Sequence, residues 1–238
     1  MKTSNSQKNP TQEETPNVPA PWLFWLGIGA ICSAVIALSL FSQQLLKKKS
    51  QTSSTLPKIS RITNDLETEE RLGRRVKLSE LDGKVRVFAY IYTVCPHGCA
   101  AIIGEMLKLE KKFGNRADFQ QVSVSVVPER DTTAMLSAYA EGIGLKPQSP
   151  WWFLTGERQK LEGFMTETLK LDAPQIIPEE ERLNPLDLYA HDLRIVVVDR
   201  QGFIRGYYAV FHPQAEIASL MTERLHQDVQ RLLEDPKL

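Results

Sequence analysis

Apolar and polar positions along the chain change their period several times, and each change marks a different kind of segment. From Trp22 to Phe41 the run WLFWLGIGAICSAVIALSLF carries no charge, and its length suits a helix crossing a hydrocarbon layer of about 30 Å. Trp22 and Trp25 stand at one end of the run and Lys47, Lys48 and Lys49 follow the other, as interface-seeking indoles and flanking cations would. Residues 1–21 hold Pro10, Pro16, Pro19 and Pro21 among Ser, Thr, Asn, Gln and Glu without an apolar period, which predicts a disordered tail. Residues 42–69 are polar and rich in Ser, Thr and Lys, and they read as a tether that begins as a helical extension. Residues 70–238 are the length of one domain.

Within that domain strand and helix patterns alternate. Val85 to Tyr92 is β-branched and aromatic, as a central strand requires. Apolar spacing through Ile102, Ile103, Met106, Leu107 and Leu109 predicts a helix after it. Further along, Phe119 to Val127 predicts a second strand, Thr132 to Ile143 a helix, Trp152 to Leu154 a short strand and Gln159 to Leu169 another helix. Ile195 to Asp199 and Phe203 to Tyr208 flank Gln201-Gly202 as a hairpin, and Pro213 to Leu233 is an amphipathic closing helix. A β-α-β order followed by a β-hairpin and a helix predicts an α/β, thioredoxin-like sandwich behind a single N-terminal transmembrane helix.

Charge and cysteine usage narrow the function. Lys and Arg number 29 against 29 Asp and Glu, a formal net charge of zero, which argues against nucleic-acid binding through a basic face. Three cysteines are too few for a multi-disulfide scaffold. Cys32 lies inside the apolar run and reads as a small membrane-embedded residue.

Cys95 and Cys99 are different. They belong to Thr93-Val94-Cys95-Pro96-His97-Gly98-Cys99, where the first strand ends and its helix begins. Pro96 suits a first helical position, so Cys95 is expected near the N-cap. Cysteines four apart on a helix share a face, where they can bind one ion or close a disulfide. The helix dipole favours their thiolates, and two thiolates select soft metals such as Cu(I), zinc or an iron–sulfur cluster.

In these segments the chain resembles the Sco/SenC family, membrane-anchored, thioredoxin-like proteins associated with copper delivery to cytochrome c oxidase. Leu78 to Lys84 precedes the strand as in the family, and Tyr92-Thr93-Val94-Cys95-Pro96 through Cys99 looks like its metal loop. Val127-Pro128-Glu129-Arg130-Asp131-Thr132 and Phe153-Leu154-Thr155-Gly156 resemble its next two signatures. Tyr189-Ala190-His191-Asp192 with Val198-Asp199-Arg200-Gln201-Gly202, and then Arg205-Gly206-Tyr207-Tyr208, complete the order. The resemblance implies that Cys95, Cys99 and His191 bind one copper ion, as Cu(I) or Cu(II). It also implies an acceptor such as cytochrome c oxidase subunit II, and a soluble domain in the periplasm of a bacterium, held to the inner membrane through Trp22–Phe41. The lysines after the apolar run, taken alone, favour the opposite orientation. Two thiolates and an imidazole suit Cu(I), whereas a structural zinc takes a fourth protein ligand. Oxidation of the cysteines would remove two of the three ligands.

The chain departs from the family at Ala100, where proline is usual, at Val127, where aspartate is usual, and at Asp192, where serine is usual. Asp192 is expected to place a carboxylate beside the ligand histidine and alter its basicity or position. Elsewhere, His97 reads as an exposed loop residue, His212 as a turn residue before the last helix, and His226 as part of a solvated face. Pro174 to Pro185, with Glu179, Glu180 and Glu181, reads as a solvated loop, and Trp151 and Trp152 as core and rim. The leading expectation is a copper chaperone rather than a turnover enzyme. The alternative is a membrane-anchored thiol–disulfide oxidoreductase using Cys95 and Cys99 as its redox pair. C-x-x-x-C spacing and the lack of a proline before the Ile195 strand argue against a general thioredoxin. Tyr92, three residues before Cys95, argues against a peroxiredoxin.

Overall fold

The computed structural model describes residues 21–52, 56–235 and 238. The expected tail lies outside them apart from Pro21, which opens the first helix, α1 (Pro21–Thr52). This helix contains the Trp22–Phe41 run and continues through the lysines to Thr52. Among the described residues, no helix is long and apolar enough to cross a membrane.

A second compact unit spans Thr55–Leu238. Its strands are β1 (Ser60–Arg61), β2 (Glu67–Glu70), β3 (Arg75–Lys77), β4 (Val85–Ile91), β5 (Phe119–Ser125), β6 (Trp152–Thr155), β7 (Gln175–Ile176), β8 (Tyr189–Ala190), β9 (Ile195–Val198) and β10 (Phe203–Tyr208). The helices are α2 (Cys99–Phe113), α3 (Thr133–Gly142), α4 (Arg158–Gly163) and α5 (Ala215–Glu234). Eight strands form one sheet in the order β1-β10-β9-β4-β5-β6-β2-β3. β4, β5 and β6 run parallel and the flanking strands are antiparallel to their neighbours. The parallel pairs are joined through α2 and α3, as parallel neighbours require crossovers.

β4 explains why the sheet has two covered faces. Val85, Val87, Ala89 and Ile91 pack with Ile102, Met106 and Leu109 of α2 and Leu225, Val229 and Leu232 of α5. Phe88 and Tyr90 point the other way, into a core with Leu161, Phe164, Met165 and Leu169. The strand is therefore buried along its whole length and apolar at every position but Arg86, as a strand covered on both sides tends to be. Helices on both faces of a largely parallel centre make the expected thioredoxin-like sandwich.

Three boundaries differ from expectation. The folded unit starts at Thr55 and not at Glu70, because β1 and β2 join the sheet and Leu56 and Leu66 are buried. Charged residues such as Glu67, Glu69 and Glu70 hid β2, which lies between β6 and the outermost strand β3. The helix expected over 159–169 is α4 followed by a turn of π-helix over Phe164–Thr168, which brings Phe164, Met165 and Leu169 into the same core. The loop expected at Pro174–Pro185 holds β7, paired to β8, and a short 3-10 turn at Glu179–Glu181.

Candidate metal centre

Cys95 and Cys99 leave the C-terminal end of β4, where a parallel strand hands its chain to a crossover helix. The helix begins later than expected. Gly98 is the N-cap and Cys99 the first helical residue, so Cys95 and Pro96 belong to the preceding loop. A turn closed by the Cys95 N–H on the Tyr92 carbonyl at 3.0 Å shapes that loop. Position 98 requires glycine, since a Cβ there would lie 2.6 Å from Phe211 Cδ1 and 2.7 Å from Leu193 Cδ1. Gly98→Ala is therefore expected to destabilise the fold by about 1–3 kcal/mol through overpacking. Chemical denaturation would show it, and Phe211→Ala in the same chain should recover most of the loss.

Asp131 holds the loop from below. Its buried carboxylate accepts the Thr93 hydroxyl at 2.5 Å and the Ser125 hydroxyl at 2.7 Å, and burial pushes its pKa up against those bonds. Thr132 beside it caps α3 by accepting the Met135 N–H. The 127–132 segment thus fastens the cysteine loop to the sheet and starts the next helix.

His191 arrives from the opposite side, directly after β8. Its Nδ1 lies 2.9 Å from the Asp192 carbonyl. A carbonyl can only accept, so Nδ1 is the protonated nitrogen and, in the neutral ring, Nε2 carries the free lone pair. That Nε2 points at Cys99 Sγ, 2.9 Å away. Tyr90 and Tyr92 meet the imidazole edge-on, with ring centroids 5.8 and 6.5 Å from it. The ligand atoms of Cys95, Cys99 and His191 all lie within 4.8 Å of one another, and among the described residues they form the one such group able to hold a metal.

The two sulfurs are not equivalent. Cys95 is half-buried and its pKa is lowered to about 4, chiefly because the Cys99 thiol donates to it. The backbone N–H groups of His97 and Cys99 add to this, while burial opposes it. One of these N–H groups belongs to the first residue of α2 and the other to the loop ahead of it, and both favour a thiolate at Cys95. The Cys99 thiol is pushed up, by its bond to Cys95 first and by burial second.

The expectation for Asp192 needs correction. Its carboxylate is turned away from the imidazole and held by Arg194 and by the Asp172 N–H at 3.0 Å, and these bonds keep its pKa low against burial. The ring meets this residue's backbone carbonyl instead. His97 is exposed as expected yet is not free, since its Nε2 lies 3.0 Å from both oxygens of buried Asp187. His226 is not simply solvated but lies 3.1 Å from Glu105 Oε2, joining α5 to α2. His212 accepts the Gln214 N–H just ahead of α5, as a turn residue. Trp151 is fully buried and Trp152 nearly so, and neither is among the clustered donors. Sequence reasoning missed Asp187 and gave Asp131 no role, although Asp131 stood inside a quoted signature. Their partners lie 90 and 38 residues away along the chain.

A SCO1/SenC family profile matches residues 55–226. The SCO1 protein homolog of Bacillus subtilis (strain 168) is 29% identical over 119 residues, 49% of this chain. The match spans 61% of that relative's length, less than two thirds of it. BsSco, described as a member of the Sco family of cytochrome c oxidase assembly proteins with a disulfide switch, superposes with a TM-score of 0.57 at 24% identity, covering 75% of this chain and 96% of that one. Bradyrhizobium japonicum ScoI, solved with copper bound, gives a TM-score of 0.51 at 22% identity, covering 68% and 98%. The profile covers most of the folded unit, including the cysteine loop and the His191 segment, and this chain belongs to the SCO1/SenC family.

Proposed function

We propose that the protein carries one copper ion on Cys95, Cys99 and His191 and passes it to a copper site of a respiratory oxidase, the dinuclear centre of cytochrome c oxidase subunit II being the acceptor of choice. One observation carries this reading: two sulfurs and an unprotonated imidazole nitrogen converge within 4.8 Å. The donor set is soft, and no fourth His, Cys, Asp or Glu among the described residues joins it, which suits Cu(I) better than structural zinc. The copper-bound ScoI and the oxidase-assembly family of BsSco support it. Copper is cargo here, so it must be held strongly enough to travel and released to a better-matched site. Half-exposed Cys95 is the ligand placed for an incoming acceptor to reach.

The uncharged Trp22–Phe41 run within α1 supports a membrane anchor, and the proposed placement of the folded unit is extracytoplasmic, where copper acceptors and oxidants meet. The reading is tested by loading the reduced full chain with Cu(I) in mild detergent and measuring bound copper. The expected result is one copper per chain, falling to none once Cys95 and Cys99 are oxidised to a disulfide. A reduced chain that retains no copper overturns it.

A second reading, thiol–disulfide exchange, is favoured by the lowered pKa of half-buried Cys95 with Cys99 beside it as a resolving thiol. In that case Cys95 attacks a partner disulfide, Cys99 displaces the partner's thiolate, and the Cys95–Cys99 disulfide takes up the oxidation. Failure to hold copper together with reduction of a disulfide substrate would make this the function.

A further inference from the structure

Two side chains of the cysteine loop reach across to the segment ahead of His191. The Tyr92 hydroxyl donates to the Leu186 carbonyl and accepts the Leu188 N–H at 3.2 Å. His97, between the cysteines, places Nε2 3.0 Å from each oxygen of Asp187. The Asp187 side chain is fully buried, and the Leu183 N–H at 3.0 Å is its other donor. The segment is the loop of a small hairpin whose ladder is only Gln175 with Ala190 and Ile176 with Tyr189. Such a two-stranded ladder, separate from the main sheet, is marginal by itself. Ile176 and Leu183 are 71% and 67% exposed, so apolar burial at these positions does little to hold it. Ile177 is buried and Tyr189 packs on the same core as Val94 and Cys95, and the hydrogen bonds that join the hairpin to the cysteine loop both start from the loop's own residues.

We infer that His97 and Asp187 form a clasp that keeps the hairpin closed over the cysteines before any metal arrives, which makes His97 a positioning residue for His191. A buried carboxylate is costly without charge-assisted partners. With His97 gone, Asp187 retains one backbone donor, and the cheapest relief is for the hairpin to open and let water reach it. His191 follows β8 directly and moves with that opening. Apparent affinity for a ligand that needs His191 then scales with the fraction of molecules whose hairpin is closed. The inference rests on His191 being a copper ligand, but the clasp itself is tested without copper.

The experiment is hydrogen exchange on the reduced, metal-free full chain, for wild type, His97→Ala and His97→Gln. Amides of 183–190 are expected to exchange about tenfold faster or more in His97→Ala, the loss anticipated for a hydrogen bond to a charged group, while β4 and β5 stay as protected as in wild type. His97→Gln, whose Nε2–H can reach the same carboxylate, should keep most of the protection. Unchanged exchange over 183–190 in a folded His97→Ala chain overturns the clasp. Competition for Cu(I) against a chromophoric chelator gives the second readout. His97→Ala should weaken binding about tenfold when His191 is present and less than about twofold in His191→Ala, because the clasp acts through that residue. An equal loss in both backgrounds overturns the positioning role. A wild-type chain that takes up no Cu(I) ends the copper reading, and the exchange result still decides the clasp.

Discussion

In a chain with Cys99 replaced by alanine, Cu(I) affinity is expected to fall on the order of a thousandfold, with Cys95→Ala close behind. Structural zinc sites with four strong ligands gain about 10–16 kcal/mol, or roughly 2.5–4 kcal/mol per ligand, and each 1.4 kcal/mol is about tenfold in affinity. Cys99 has a double role, as a buried sulfur 2.9 Å from His191 Nε2 and as the group that holds the Cys95 thiolate. Losing it removes one ligand and the main stabilisation of another. His191→Ala should cost less, about ten- to a hundredfold, because two thiolates alone still satisfy Cu(I). Anaerobic competition with a chromophoric chelator would rank the three variants. Cysteine variants that bind like wild type would remove the metal centre from these residues.

The largest effect on stability is expected away from the metal. Asp199 and Arg205 are both buried and paired at 2.6 Å. Asp199 also accepts the Gln201 and Phe203 N–H groups at 2.8 and 2.9 Å, closing the β9–β10 turn in which Gly202 takes a φ of +84°. Arg205 reaches the Leu56 carbonyl at 2.8 Å and the Leu238 carbonyl, tying both ends of the folded unit to β10. Asp199→Ala leaves a buried guanidinium without its counter-charge and opens the turn. The expected loss is about 3–5 kcal/mol. In a domain of this size that lowers Tm by roughly 10 °C. Arg205→Met added to Asp199→Ala should restore part of it, since the stranded charge is then gone. A loss below about 1 kcal/mol, read by thermal and urea unfolding, would show that the pair is replaceable.

How legible these features were depended on how local their causes are. β4 and α2 could be read because an apolar strand and a 3.6-residue apolar period are written in neighbouring residues. The need for glycine at position 98 could not be, because it comes from Phe211 and Leu193 packing on it. The polar strand β2 was invisible for a similar reason, since its place beside β6 comes from pairing with Leu154 and Thr155. At the site, the cysteine pair and His191 were legible only together with the ordered signatures around them. The orientation of Asp192 was not, because Arg194 and the Asp172 N–H compete for its carboxylate.

By itself the sequence determined the alternation of elements, the uncharged N-terminal run and the soft pair of thiols, since each is a property of residue type and spacing. Tertiary structure decided which histidine nitrogen faces the sulfurs, which cysteine is the more acidic, and that His97 grips Asp187. Those outcomes depend on directional bonds between residues up to about ninety positions apart in sequence, which periodicity does not encode, because a hydrogen bond is set by where the two ends of a fold meet.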